Sequence, residues 1–224
     1  MTDLWKDDDD LFSQACRTLF TAVVGDIMDK LGFRHQFLPP AIRPLDPGMV
    51  VIGRAMPVLE ADLTDEASAG RPFGLMLDAL DNLKRNEVYI CTGASPAYAL
   101  WGELMSVRAM HCGAAGTVLD GYSRDTNGIR SLQFPTFSHG SYAQDQAPRG
   151  QVVDYRVTIE MAATRVEPGD IVFGDLDGVC VIPHRAERDV FAGAFEKARG
   201  EKSVQKALEA GMSAREAFEK FGIL

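Results

Sequence analysis

The chain has no block of basic residues. Its 23 lysines and arginines are scattered through 224 residues and outnumbered by 32 aspartates and glutamates, for a formal net charge of −9. Nucleic-acid affinity comes largely from phosphate neutralisation by a clustered basic face, so nucleic acid is not expected as a direct partner. The same imbalance does not help an anionic ligand approach, so any acid-binding site has to be locally positive. No stretch approaches the roughly 20 apolar residues of a membrane helix, and no membrane partner is expected. The opening MTDLWKDDDD is acidic and polar, unlike a secretory signal or a transit peptide, which makes the cytoplasm the expected location.

Cysteine and histidine chemistry is equally sparse. The four cysteines, Cys16, Cys91, Cys112 and Cys180, are far apart, form no C-x-x-C pair and sit among apolar neighbours, which predicts buried reduced thiols. The four histidines, His35, His111, His139 and His184, include no i, i+4 pair, so a zinc site is not supported. The DLDG run from Asp175 to Gly178 lacks the third acidic position and distal glutamate of a calcium loop and reads as a turn. No glycine-rich loop is followed by an acidic ribose ligand, which argues against a methyltransferase.

What is present is a globular composition, 46% hydrophobic and 25% charged, long enough for one generous domain. Apolar spacing predicts a helix through LFSQACRTLFTAVVGDIMDKLG, broken near Thr21 and stopped by Gly32. A proline-rich loop leads to the strand MVVIGRAMPVLEA, with Gly53 as a candidate bulge. FGLMLDALDNL reads as a helix, EVYICTG as a buried strand, and WGELMSVRAMHCG as a helix closed by Gly113. AAGTVLDG is a second buried strand; QFPTFSHG and QVVDYRVTI are further strands, and a hairpin closes across DLDG. The tail from His184 is helical. This order predicts layered α/β with mixed sheets.

The chemistry concentrates between Trp101 and Asp125. Strands joined through a helix are normally parallel neighbours, and ligands bind beyond their carboxyl ends. The helix start at Gly102 and the pair Arg124-Asp125 should therefore meet. The backbone N–H groups of Glu103, Leu104 and Met105 lack intrahelical acceptors and form a receptor for a carboxylate, which Gly102 leaves open. Arg124 adds a planar bidentate fork. Asp125 and Glu103 are hard oxygen donors suited to Mg²⁺ or Mn²⁺, Glu103 through a water. Together these parts can hold a 2-oxo acid on a divalent cation.

WGELMSVRAM, the G-x-x-G-x-V-x-D-G-x-x-R-D run from Gly113 to Asp125, and PGDIVFGDLDGVCVIP resemble the RraA-like family, which includes class II 4-hydroxy-4-methyl-2-oxoglutarate/4-carboxy-4-hydroxy-2-oxoadipate aldolases. The resemblance runs from the TLFTAVVGDIMDKLG helix to the REAFEKFGI tail. It implies an α-β-β-α swivelling-domain fold over residues 1–224, with 185–224 packing at a subunit interface of a homotrimer or dimer of trimers. It implies divalent-metal-dependent retro-aldol cleavage to pyruvate, with oxaloacetate decarboxylation. Carried over, Arg124 and the N–H groups of Leu104 and Met105 bind the pyruvyl carboxylate. Asp125 binds the metal, and Glu103, where the aldolases commonly have Asp, holds a metal-bound water. Glu201 from a neighbouring subunit is the further candidate ligand, with Glu196 as its alternative.

A metal electron sink is the simpler account because neither Lys84 nor Lys197 is placed to form a Schiff base. With no histidine inside the motif, a metal-bound water is the expected base. The rival reading is a protein-binding regulator, since the family's namesakes inhibit a bacterial endoribonuclease.

Overall fold

In a computed structural model the described residues are 4–63 and 73–223. The elements run α1 (Asp8–Thr18), α2 (Thr21–Lys30), β1 (Arg43–Pro44), β2 (Val51–Asp62), β3 (Phe73–Gly74), α3 (Met76–Asp81), β4 (Glu87–Thr92) and β5 (Ala99–Trp101). They continue with α4 (Glu103–Cys112), β6 (Gly116–Leu119), β7 (Tyr122–Ser123), α5 (Thr126–Leu132), β8 (Thr136–Ser138) and β9 (Gly150–Tyr155). The last are β10 (Ile159–Met161), β11 (Thr164–Val166), β12 (Ile171–Asp175), β13 (Gly178–Ile182), α6 (Glu187–Glu209) and α7 (Ala214–Phe221).

The break expected near Thr21 is real. Leu19 and Phe20 are extended, and α2 starts afresh with the Thr21 N–H and hydroxyl both donating to the Asp175 carboxylate at 2.7 Å. Asp175 also accepts the Asp177 N–H at 2.9 Å, so the DLDG carboxylate is used structurally, in keeping with the turn reading. The first helix is capped by Asp7, and Asp8, Asp9 and Asp10 lie at its positive end.

One mixed sheet dominates, in the order β1-β8-β6-β4-β2-β12-β13, with β9 also paired to β2. Strands β2, β4, β6 and β8 run parallel, and β12 and β13 form the antiparallel hairpin expected across DLDG. The sheet curls until its ends nearly meet: Arg43 of β1 donates to the carbonyls of Leu176 and Asp177 at the β12–β13 turn. Strand parity then sorts the apolar side chains into cores. Val51, Ala55, Val88, Ile90, Val118, Val172 and Val181 fill the inside of the curl. Their alternates face outward: Ile52, Phe173 and Cys180 under α1, α2 and α6, and Met56, Val58, Tyr89 and Leu119 on the α3–α4–α5 side.

Two local expectations are corrected. Gly53 is not a bulge; it pairs in register with Val172, and the register shift on β2 falls between Leu59 and Glu60. The glycine serves close approach instead, since a Cβ there would lie 2.4 Å from the Asn86 carbonyl oxygen. Cys16 is exposed, because Leu11, Phe12 and Ala15 form the buried stripe of α1 and Cys16 lies off it. Cys91 and Cys180 are buried and Cys112 half-buried.

Candidate active site

Strands β4 and β6 are parallel neighbours, Val88 opposite Gly116, with β5 and α4 in the crossover between them. Past their ends, β5 and β7 pair in parallel, placing the start of α4 beside the Arg124-Asp125 turn. Arg124 donates its N–H to the Trp101 carbonyl at 2.8 Å, which fixes the turn against the helix entry. Gly102 is extended at the helix start, and a Cβ there would fall 2.7 Å from Asp125 Oδ2 and 3.5 Å from Arg124 Cγ. The juxtaposition is therefore as the strand–helix–strand argument requires.

Asp125 occupies the left-handed region, φ 56° and ψ 34°, a conformation aspartate tolerates better than most residues. It does not cap its own helix. Its Oδ2 instead accepts the Glu103 N–H, the first of α4, at 3.3 Å. The N–H groups of Leu104 and Met105 have no intrahelical acceptor, and both residues line an open cleft of about 260 Å³. Arg124, Asp125, Asp145 and Gln146 share that cleft, whose apolar wall includes Met76, Leu80 and Trp101. The Trp101 indole is pinned by a 2.7 Å hydrogen bond to Ser106 Oγ and by Tyr89 and Phe134, with ring centroids at 4.9 and 6.0 Å.

Arg124 is loosely held. Its Nη1 lies 3.3 Å from Asp145 Oδ1 and its Nε 3.7 Å from Asp125 Oδ2, with the side chain 39% exposed. Two carboxylates thus face one guanidinium, and the helix dipole supplies the remaining positive potential. Glu103 differs from the others: its carboxylate rests over α5, so close that a Cβ on Gly128 would fall 2.3 Å from its Cδ. It is beside the cleft and does not line it. Within one chain Glu201 faces Lys197 at 3.3 Å on α6, which packs on α2 and α1, while Glu196 is exposed on the same helix. Among the described residues no three His, Cys, Asp or Glu side chains cluster as a metal site; the acids at or beside the cleft are Asp125 and Asp145, which line it, and Glu103. Such an oxygen-only donor set suits a hard cation that keeps several waters.

Sequence reasoning did not single out Asp145 or Gln146, which come from the polar loop SYAQDQAPRG. That loop is strung along β5, with the Ala99 N–H donating to the Gln144 carbonyl at 2.8 Å. It also missed that His139 touches the motif, its Nε2 3.3 Å from Asp120 Oδ1, while Thr92 donates to Asp120 Oδ2 at 2.7 Å. Neither Asp120 nor His139 lines the cleft.

The family model for RraA-like proteins, described as Aldolase/RraA, matches residues 21–181. The chain belongs to the RraA-like family. It is 26% identical over 202 residues to a Halalkalibacterium halodurans protein named "Putative 4-hydroxy-4-methyl-2-oxoglutarate aldolase", covering 90% of each. It is 26% identical over 202 residues to the protein DlpA of Legionella pneumophila, matching 90% of this chain but spanning only 32% of that protein. The RraAS2 structure from Streptomyces coelicolor, described as an unusual member of the RNase ES inhibitor RraA protein family, superposes with a TM-score of 0.79 at 22% identity, covering 90% of this chain and 99% of that one. At that identity the likeness is one of fold, and it agrees with the curled mixed sheet.

Proposed function

We propose that this RraA-like chain is a divalent-metal-dependent lyase that cleaves a 4-hydroxy-2-oxo dicarboxylic acid to release pyruvate, and that also decarboxylates oxaloacetate. The observation that carries the reading is the convergence of Arg124, Asp125 and the open N–H groups of Leu104 and Met105 on one cleft. The substrate carboxylate takes the guanidinium fork and these N–H groups. Asp125 would hold Mg²⁺ or Mn²⁺, and Glu103 would reach it through a water. When bound, the cation supplies electron withdrawal from the 2-oxo group. As the carbon–carbon bond breaks, charge develops beside Arg124 and the positive end of α4, donors already oriented before reaction. The apolar side chains of Met76, Leu77 and Leu80 border the same space and limit water there. The charge balance supports a cation: one guanidinium faces two carboxylates at the rim, an arrangement that alone would repel a dicarboxylate.

The proposal includes assembly as a homotrimer or dimer of trimers, with the 185–224 segment at an interface and Glu201, or Glu196, of a neighbouring subunit completing the metal shell. Exposed Leu77 and Leu104 at the cleft, with Val107 and Met110 exposed farther along α4, support a covered surface there, Leu104 being 84% exposed in the single chain.

The test is pyruvate release from oxaloacetate and from 4-hydroxy-4-methyl-2-oxoglutarate by metal-stripped protein, with and without Mg²⁺ or Mn²⁺. Turnover is expected only with metal. Undiminished turnover in excess chelator overturns the metal dependence. Absence of pyruvate from both substrates with metal present overturns the lyase and leaves the protein-binding regulator.

A further inference from the structure

On the outer face of β2, Met56 and Val58 are followed at the same parity by Glu60, an acid in an apolar row. It is 2% exposed. Gln146 Nε2 donates to its Oε2 at 2.6 Å, and its Oε1 has no partner. The buried Tyr89 hydroxyl on β4 is unpartnered as well. The titratable groups that feel Glu60 are Tyr89 and Cys91 of β4 and Tyr98, whose hydroxyl donates to Asp62 at 2.7 Å. None is a cation. Burial therefore pushes the Glu60 carboxyl up to about 8, although the bond from Gln146 opposes the shift.

Gln146 connects this acid to the cleft. It is 3% exposed and lines the cleft, and its chain neighbour Asp145 is the carboxylate 3.3 Å from Arg124. An ionised Glu60 only accepts hydrogen bonds, so it holds the Gln146 amide nitrogen toward itself and leaves the amide oxygen turned away from it. A protonated Glu60 can donate to that oxygen, which lets the amide turn its N–H groups toward the cleft. The ionised form also puts an uncompensated negative charge against a residue that lines the cleft.

We propose that Glu60 is a positioning residue that gates the cleft through Gln146: a carboxylate ligand is accepted while Glu60 is protonated and disfavoured once it ionises. The inference rests on the reading of the cleft as a 2-oxo acid site and adds a control to it that the metal and Arg124 do not provide.

The experiment is calorimetric titration of oxalate, an unreactive dianion, into the Mg²⁺-loaded protein from pH 6.5 to 9.5. The wild type, Glu60→Gln and Glu60→Met are compared, the last as a second neutral side chain should the glutamine fold poorly. A single ionisation near pH 8 weakens wild-type binding roughly tenfold per pH unit above it, while both neutral variants stay flat across that window. In a Trp5→Phe background, Trp101 emission reports the cleft independently of ligand; its change between pH 7 and 9 is expected to vanish with Glu60→Gln. Equal weakening with pH in wild type and both variants overturns the gate and leaves the anion site intact. No oxalate binding at any pH removes the 2-oxo acid reading, and the gate falls with it.

Discussion

Two arginines of the molecule, Arg54 and Arg124, each face two carboxylates and are held very differently. Arg54, on β2 under the α1 side, is 19% exposed and has Asp8 and Glu187 carboxylate oxygens at 2.5 Å, with the Gly169 carbonyl at 3.2 Å. These carboxylates hold its guanidinium above the usual arginine range, the hydrogen bonds it donates to Asp8 foremost. Arg124 is 39% exposed, and its two carboxylate neighbours stand off at 3.3 and 3.7 Å. The saturated arginine clamps the first helix and α6 onto the sheet. The slack one keeps donors unfilled at the edge of the cleft.

The contrast is broken first at Arg124. Arg124→Ala is expected to lower catalytic efficiency for pyruvate release by about 30- to several-thousand-fold, equivalent to about 2–5 kcal/mol, with little change in melting temperature. Arg124→Lys should recover little, because a lysine lacks the fork. Wild-type efficiency in the alanine variant would remove Arg124 from the site. Arg54→Ala should do the reverse. Stripping the shared cation leaves Asp8 and Glu187 facing each other and destabilises the fold by about 2–4 kcal/mol in chemical denaturation, with turnover per folded molecule retained. A variant as stable as the parent would make the Arg54 cluster an ornament of the surface.

A smaller effect separates the neutral acid of the cleft side from these paired charges. Glu60 titrates near 4.5 when unfolded and about 8 when folded, so folding takes up a proton between those values. Its contribution is complete below the unfolded value and lost as pH rises through the folded one, roughly 1.4 kcal/mol per pH unit across the window. Glu60→Gln should flatten that slope in denaturation curves between pH 5 and 8; an unchanged slope would place the titration elsewhere. Smallest is Gly102→Ala, whose Cβ would crowd Asp125 Oδ2 at 2.7 Å. About a tenfold loss of oxalate affinity is expected in calorimetry, without a matching loss of stability.

The sequence revealed most where periodicity and chain direction suffice. The break before Thr21, the β12–β13 hairpin and the meeting of Gly102 with Arg124-Asp125 all follow from local pattern and from parallel strands joined through a helix. Asp145 and Gln146 were illegible because they reach the cleft by a loop whose course is set by pairing with β5, a long-range contact with no local signature. Glu60 did leave a trace, an acid at the buried parity of an apolar strand, but only the packed β4 shows that it lacks a cation. Glu103 was read from its place at the helix start. Its carboxylate sits against Gly128 of the next helix, a tertiary contact that the local pattern does not show.

Asp125 caps a helix to which it does not belong, and this has a thermodynamic consequence. Its carboxylate and the first N–H of α4 occupy one another at 3.3 Å. Whatever draws the carboxylate away returns a donor to the helix end, and whatever takes that donor sets the carboxylate free. By linkage the two events favour each other equally, whichever comes first. A positive and a negative guest at this turn are then cooperative through a single weak bond that neither of them makes.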